Sequence, residues 1–318
     1  MVCRKLLDPV SSIFIYMNRG YIFALALLFF TLDLAAQQEG YVQGNGVKIF
    51  YRSYGKGTPV LIINGGPGLN SDGFQELAEK LATRNRVIIY DQRGTGHSVL
   101  PTIDSSSITM ALMLDDIESL RTQLGIQKWI VLGHSFGGML ASFYAGERPS
   151  EITRMILSSS GGIDLDLLNY VNANINARLT KEQADSFAYW TQKIAAGDSS
   201  LNARQRRAAA LANAYVVDKS FAPKIAARLA QLNAQINGLI WQDLQKIHFD
   251  CSKQLAAFRQ PVLIIQGRQD IIEAKTGERA HRILKVSRFV LIDHSIHYGW
   301  LDNPDAFFNE VNGFLAAD

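Results

Sequence analysis

The chain has 318 residues, 47% hydrophobic and 19% charged, which excludes extended disorder and supplies apolar mass for one large core without a disulfide or metal staple. Lysine plus arginine number 32 against 29 acids, a net charge of +3 with no basic block, so nucleic-acid binding has no electrostatic support. Of two cysteines, Cys3 lies at the extreme N-terminus and Cys251 stands alone; no disulfide framework or metal-type Cys/His spacing is expected, and Cys251 reads as a small half-buried hydrophobe.

Residues 21–32 form an apolar run behind Arg19, followed by Leu34-Ala35-Ala36 and a polar start at Gln37. A positive flank, a short apolar run and small residues describe a secretory leader, and the run falls short of the about 20 residues of a membrane span. Residues 1–36 are therefore expected to be a cleaved signal peptide, exporting the protein to the periplasm or the medium. An uncleaved N-terminal membrane anchor is the second reading. Met17 offers an alternative start.

Tyr41-Val42-Gln43 and Val47 to Tyr54 flank Asn45-Gly46, which predicts a hairpin. Pro59 to Ile63 is apolar throughout and ends in Asn64-Gly65-Gly66-Pro67-Gly68; Val87 to Tyr90 is similar and ends in Asp91-Gln92-Arg93-Gly94. Such runs suit strands buried on both faces of a parallel sheet. A helix is expected from about Gly73 to Thr83, and an amphipathic helix over Ile108 to Leu124. Trp129 to Leu132 predicts a strand, Phe136 to Gly146 a helix, and Ile152 to Leu157 a strand. From Gly162 to Phe258 no strong strand signal appears, and the composition reads as several helices. Alternation then resumes with strands at Val262–Ile265 and Phe289–Ile292 and helices at Thr276–Leu284 and Asp305–Leu315. The expected fold is α/β: a mostly parallel sheet flanked by helices, built from residues 37–162 and 259–318, with a helical lid subdomain over 163–258, too long an insert for a loop.

Gly133-His134-Ser135-Phe136-Gly137 lies between a predicted buried strand and a helix. A sharp strand-to-helix turn exposes the serine, flanking glycines avoid clashes, and the helix N-terminus favours negative charge. A serine needs a base, and the base a carboxylate to orient it. Asp270 follows the strand Val262–Ile265, at a carboxyl end of the sheet. His294 and His297 both follow the strand ending at Ile292; His297 is the preferred base. His134 reads as a packed neighbour of the serine, and His97, His248 and His281 lack comparable context. An oxyanion hole is expected from the backbone N–H groups of Phe136 and Gly66. No phosphate-loop motif occurs, and no cofactor or metal is implied.

Gly65-Gly66-Pro67-Gly68, Asp91-Gln92-Arg93-Gly94-Thr95-Gly96-His97-Ser98, the Ser135 turn and Gly267-Arg268-Gln269-Asp270 together resemble the α/β-hydrolase fold family over residues 41–318, and more narrowly the proline iminopeptidase group of serine peptidases. The resemblance implies a Ser135–Asp270–His297 triad, a lid over a small-molecule or short-peptide substrate, and Asp91 and Arg93 as braces of their loop. It implies aminopeptidase activity on short peptides through an acyl-enzyme. A carboxylesterase or lactonase uses the same machinery with a more neutral pocket, and a non-catalytic binding protein is the reading from another class. Three positions depart from the group's pattern: Asn64 for His, Phe136-Gly137-Gly138 for Trp-Gly-Ser, and Ile296 for Gly. Residues 163–256 carry eight acids, only Glu182 being a glutamate, against eleven bases, and no pair of acids stands out as an amine-binding site. Neither nucleic acid nor a membrane beyond an N-terminal anchor is expected as a partner.

Overall fold

The computed structural model describes residues 37–317, so the leader expected over residues 1–36 lies outside the described residues. Among the described residues no helix is long and apolar enough to cross a membrane. The strands are β1 (Gln38–Gln43), β2 (Lys48–Tyr54), β3 (Thr58–Ile63), β4 (Asn85–Tyr90), β5 (Trp129–His134), β6 (Ile152–Ser158), β7 (Val262–Gly267) and β8 (Ser287–Ile292). The helices are α1 (Gln75–Leu81), α2 (Met110–Gln123), α3 (Phe136–Glu147), α4 (Val171–Ala177), α5 (Lys181–Ala195), α6 (Leu201–Ala212), α7 (Ala222–Leu229), α8 (Ala234–Lys246), α9 (Ser252–Leu255), α10 (Ala274–Ile283), α11 (Gly299–Asp302) and α12 (Pro304–Ala316).

The strands form one sheet in the order β1-β2-β4-β3-β5-β6-β7-β8. β2 is antiparallel to both β1 and β4, and every other neighbouring pair is parallel. Gly46 takes φ +75° at the tip of the first hairpin, where the Gly44 N–H donates to the Val47 carbonyl at 2.8 Å. Strand periodicity sorts the central runs onto two faces. Leu61, Ile63, Val131 and Ile264 enter one apolar cluster with residues of α2, α3 and α10. Val60, Ile62, Leu132 and Ile265 enter the other with residues of α1 and α12. Two faces each covered by helices explain why these strands are apolar throughout; each fully buried Leu or Ile contributes about 1.5–3 kcal/mol.

Element ends follow local chemistry. Thr109, extended at φ −141° and ψ 158°, accepts from the Leu112 N–H and starts α2 two residues later than the apolar pattern suggested. The helix expected from Gly73 divides into a 3₁₀ turn over Asp72–Phe74 and α1. α11 spans only one turn, too short for periodicity to reveal.

Helices α4 to α9 lie between β6 and β7. Three of them start on side-chain caps: Thr180 forms a capping box with Gln183 at α5, Ser200 caps α6 and Asn233 caps α8. Apolar residues of this insert, among them Leu167, Leu211 and Ile240, join the cluster that lies on the α3 face of the sheet. Cys251 is more buried than expected: it is 4% exposed and unbridged, and burial pushes its thiol up to about 12.

Candidate active site

The turn from β5 into α3 holds Ser135 at φ 55° and ψ −122°, a region that non-glycine residues occupy at a cost of roughly 1–3 kcal/mol. The surroundings leave it no alternative. Its N–H donates to the Ser158 carbonyl at 3.1 Å, and its own carbonyl accepts from Gly138 and Gly161, both at 2.9 Å. Gly137 can only be glycine, because a Cβ there would collide with the Ile63 carbonyl oxygen. Ser135 remains partly exposed, while its neighbours on both sides are buried.

The loop after β3 passes beside this turn; a Cβ on Gly65 would come within 2.6 Å of the Ser135 Cβ. Asn64 supports the loop from within: its Nδ2 donates to the Leu69 carbonyl at 3.0 Å, and its carbonyl accepts from Gln92 Nε2 at 2.9 Å. An amide thus serves where the resembled group has an imidazole. Gly66 turns at φ +69° and lines the same cavity as Ser135 and Phe136. The Phe136 N–H, at the first position of α3, has no intrahelical acceptor. Asp91 and Arg93 lie in the supporting structure. Asp91 accepts from the Ser71 N–H and hydroxyl and the His97 N–H, at 2.9, 2.7 and 2.8 Å. Arg93 forks onto Asp116 at 2.7 and 2.8 Å; burial still pushes Asp116 up to about 6 against the opposing pull of that guanidinium.

Asp270 follows β7 and His297 follows β8, and the two meet: His297 Nδ1 lies 2.8 Å from Asp270 Oδ1, with both side chains buried. With Asp270 Oδ1 as acceptor, Nδ1 is the donor of this hydrogen bond and Nε2 is left free to accept. Asp270 Oδ1 also accepts from the Ile272 N–H at 3.1 Å. No hydrogen bond joins Ser135 Oγ to His297 among the described residues. Such bonds are often long without substrate and tighten in the Michaelis complex. His294, the other candidate base, is an exposed loop residue at φ 53°. Ile296 stands where the resembled group has glycine; its side chain is buried and its N–H donates to Asp302 Oδ2 at 2.8 Å.

His134 packs as a ring, not a base. Its centroid lies 4.7 Å from His297, 4.9 Å from Trp300, 5.2 Å from Tyr298 and 5.5 Å from Phe74. Burial first, then the neighbouring His297 and Arg228 charges, hold its pKa well below the ordinary 6.5, so it stays neutral at physiological pH.

Sequence reasoning missed how the insert grips these loops. Arg228 of α7 donates from Nη2 to the Gly65 carbonyl at 2.9 Å and lies 5.1 Å over the Phe74 ring. Asn237 donates to the Pro67 carbonyl and the Asn233 N–H to the Gly68 carbonyl, each at 2.9 Å. Arg178 donates to the Gln269 and Asp270 carbonyls, the latter at 2.6 Å, and the His297 N–H donates to the Tyr215 carbonyl at 3.0 Å. Nothing in the spacing of Arg178 or Arg228 distinguishes them from surface arginines of amphipathic helices.

A cavity of about 350 Å³ opens at Ser135, walled by Gly66, Phe136 and apolar insert residues such as Leu167, Leu211 and Trp241. Among the described residues Arg207 is the one charged group in its lining, and no Asp or Glu lines it. Two more open concavities, of about 740 and 780 Å³, contain none of Ser135, Asp270 and His297. A serine on a strained turn, an imidazole held by a carboxylate and a helix start at Phe136 can together support acyl transfer.

Residues 58–304 match the family described as alpha/beta hydrolase fold. A proline iminopeptidase from Heyndrickxia coagulans is 25% identical over 297 residues, 87% of this chain and 98% of that protein. The crystal structure of a proline iminopeptidase from Mycobacterium smegmatis superposes with a TM-score of 0.66 at 21% identity, covering 87% of this chain and 97% of that one. A thermophilic esterase from Thermogutta terrifontis gives the same TM-score, 0.66, at 21% identity, covering 87% and 98%. The chain therefore belongs to the alpha/beta hydrolase fold family.

Proposed function

We propose that the protein is a serine hydrolase of small carboxylic esters, working through an acyl-enzyme on Ser135. One observation carries the choice of substrate: the cavity at Ser135 is largely apolar, and among the described residues no carboxylate lines it. An aminopeptidase must seat a protonated amine, and burying an ammonium without a partner carboxylate costs several kcal/mol. An uncharged ester makes no such demand.

In the proposed mechanism Ser135 Oγ attacks the ester carbonyl while His297 Nε2 takes its proton. Asp270 Oδ1 holds Nδ1–H and balances the imidazolium. The developing oxyanion is received by the N–H groups of Gly66 and Phe136. The imidazolium then protonates the departing alcohol. A water, deprotonated by the same nitrogen, attacks the acyl-enzyme, and collapse of the second tetrahedral intermediate frees the acid and Ser135.

A second reading, a proline iminopeptidase, is favoured by relatives of that name that span 87% of this chain. Turnover of p-nitrophenyl butyrate and of proline p-nitroanilide, each with Ser135→Ala as blank, separates the two. Ester turnover above the blank with anilide turnover at the blank is the expected result. Ser135-dependent anilide turnover would overturn the ester reading and favour the iminopeptidase.

A further inference from the structure

The most unusual group in the Ser135 cavity is its lone charge. Arg207 projects from α6 and is partly buried. Its Nε donates to Thr191 Oγ1 at 3.0 Å, and its guanidinium lies 4.9 Å from the Phe187 ring centroid. Its Nη groups have no hydrogen-bond partner and it meets no carboxylate among the described residues. The arginines that are fully buried elsewhere in the fold are partnered. Arg93 and Arg52 each meet carboxylates at 2.9 Å or less, and Arg228 is taken by a backbone carbonyl. Burial pulls the Arg207 guanidinium below its ordinary value, against the opposing pull of the Tyr215 hydroxyl. An arginine nevertheless stays charged in a protein, so the cavity wall holds a partly desolvated cation.

Arg207 also borders a second hollow of about 270 Å³, which shares Arg207, Leu229, Leu232 and Asn237 with the Ser135 cavity and adds Arg204. The wall between the two spaces therefore carries a cation with donors to spare, and among the described residues no acid lines either space. The insert as a whole reinforces the sign, with eleven bases against eight acids over residues 163–256.

Building on the ester-hydrolase reading, we propose that the natural substrate carries a carboxylate remote from the scissile ester, and that Arg207 is the residue that binds it. The planar guanidinium fork suits a carboxylate, and the apolar lining suits the methylene chain between the two ends. Arg207 touches no reacting atom in this scheme and sets specificity only.

The test compares p-nitrophenyl hydrogen adipate with p-nitrophenyl hexanoate, which have the same chain length and differ in the terminal charge. Wild type is expected to favour the adipate, chiefly through a lower KM. In Arg207→Gln the adipate-to-hexanoate ratio of kcat/KM should fall by roughly 10- to 100-fold, the scale of a charge-assisted hydrogen-bond pair. Arg207→Lys, which keeps the charge, should recover part of the ratio. A ratio unchanged in Arg207→Gln would overturn the proposal. Calorimetric titration of monomethyl adipate into Ser135→Ala, with and without Arg207→Gln, reads binding without turnover. Should wild type hydrolyse neither ester, the ester-hydrolase reading fails and the titration decides this one. Binding weakened about tenfold or more by Arg207→Gln supports the carboxylate site, and equal binding overturns it.

Discussion

The sheet and the helical insert solve opposite problems. In β5 all six residues are buried, and alternate side chains feed two clusters on the two faces of the sheet. In α5, a helix of 15 residues, none is fully buried. The sheet spends its side chains on packing and delivers Ser135, Asp270 and His297 at strand ends. The insert directs polar side chains to the backbone of loops beside those residues, Arg178 to the loop of Asp270 and Arg228 and Asn237 to the loop of Gly66. Core packing therefore rests mainly on the sheet, while the insert's polar contacts fix the loops around Ser135, so the two contributions should be separable by mutation.

The largest expected effect lies on chemistry alone. Asp270→Asn preserves the shape but removes the charge that fixes the His297 tautomer; kcat should fall on the order of 10⁴-fold, while urea unfolding shows a far smaller change. Next is the sheet. Leu132→Ala, at a site of no exposure, should lower unfolding free energy by about 2–5 kcal/mol, measured by urea denaturation, with residual activity in the folded fraction. Arg228→Met inverts that pattern. It removes the grip on the Gly65 carbonyl while filling the same space, so kcat should drop about tenfold with the unfolding free energy changed by no more than roughly 1–3 kcal/mol. Tyr189→Ala, exposed on α5, should change stability by no more than about 0.5 kcal/mol. Large loss of stability there would erase the contrast between the two regions.

A pH series sharpens the same point. The folded-state pKa of His134 is depressed, so its contribution is fully present above about 6.5 and is lost as pH falls from there toward the folded value, because the unfolded chain takes up a proton that the folded one refuses. The slope cannot exceed about 1.4 kcal/mol per pH unit for one proton. Asp116 acts in the opposite sense: raised to about 6, it favours the folded state progressively as pH falls from about 6 toward 3.8. The difference between wild type and His134→Gln unfolding energies isolates the first effect. It should shrink as pH is lowered below 6.5, and a difference constant from pH 7.5 to 5 would contradict a neutral buried His134.

Most of the sheet was legible because buried parallel strands leave continuous apolar runs, and β3, β5 and β7 are such runs. The Ser135 turn was legible because only glycine fits at Gly137. Asp270 and His297 were named from strand ends, and the fold joins them at 2.8 Å. The insert was legible only as helices. Arg207 and Arg228 look alike in sequence, yet one lines the Ser135 cavity and the other grips a loop carbonyl. Tertiary packing decides this, and helical periodicity carries no record of it. The missing carboxylates were anticipated only as a shortage of acids over residues 163–256; that none of them lines the cavity required the folded chain.

The most direct test of the central claim is covalent. The protein would be treated with a fluorophosphonate, digested, and the adduct mapped by mass spectrometry, with Ser135→Ala and His297→Ala alongside. A single adduct on Ser135, absent from Ser135→Ala and formed far more slowly in His297→Ala, is the expected result. An adduct on another serine, or labelling of Ser135 at an undiminished rate without His297, would contradict the assignment of Ser135 and His297 as nucleophile and base.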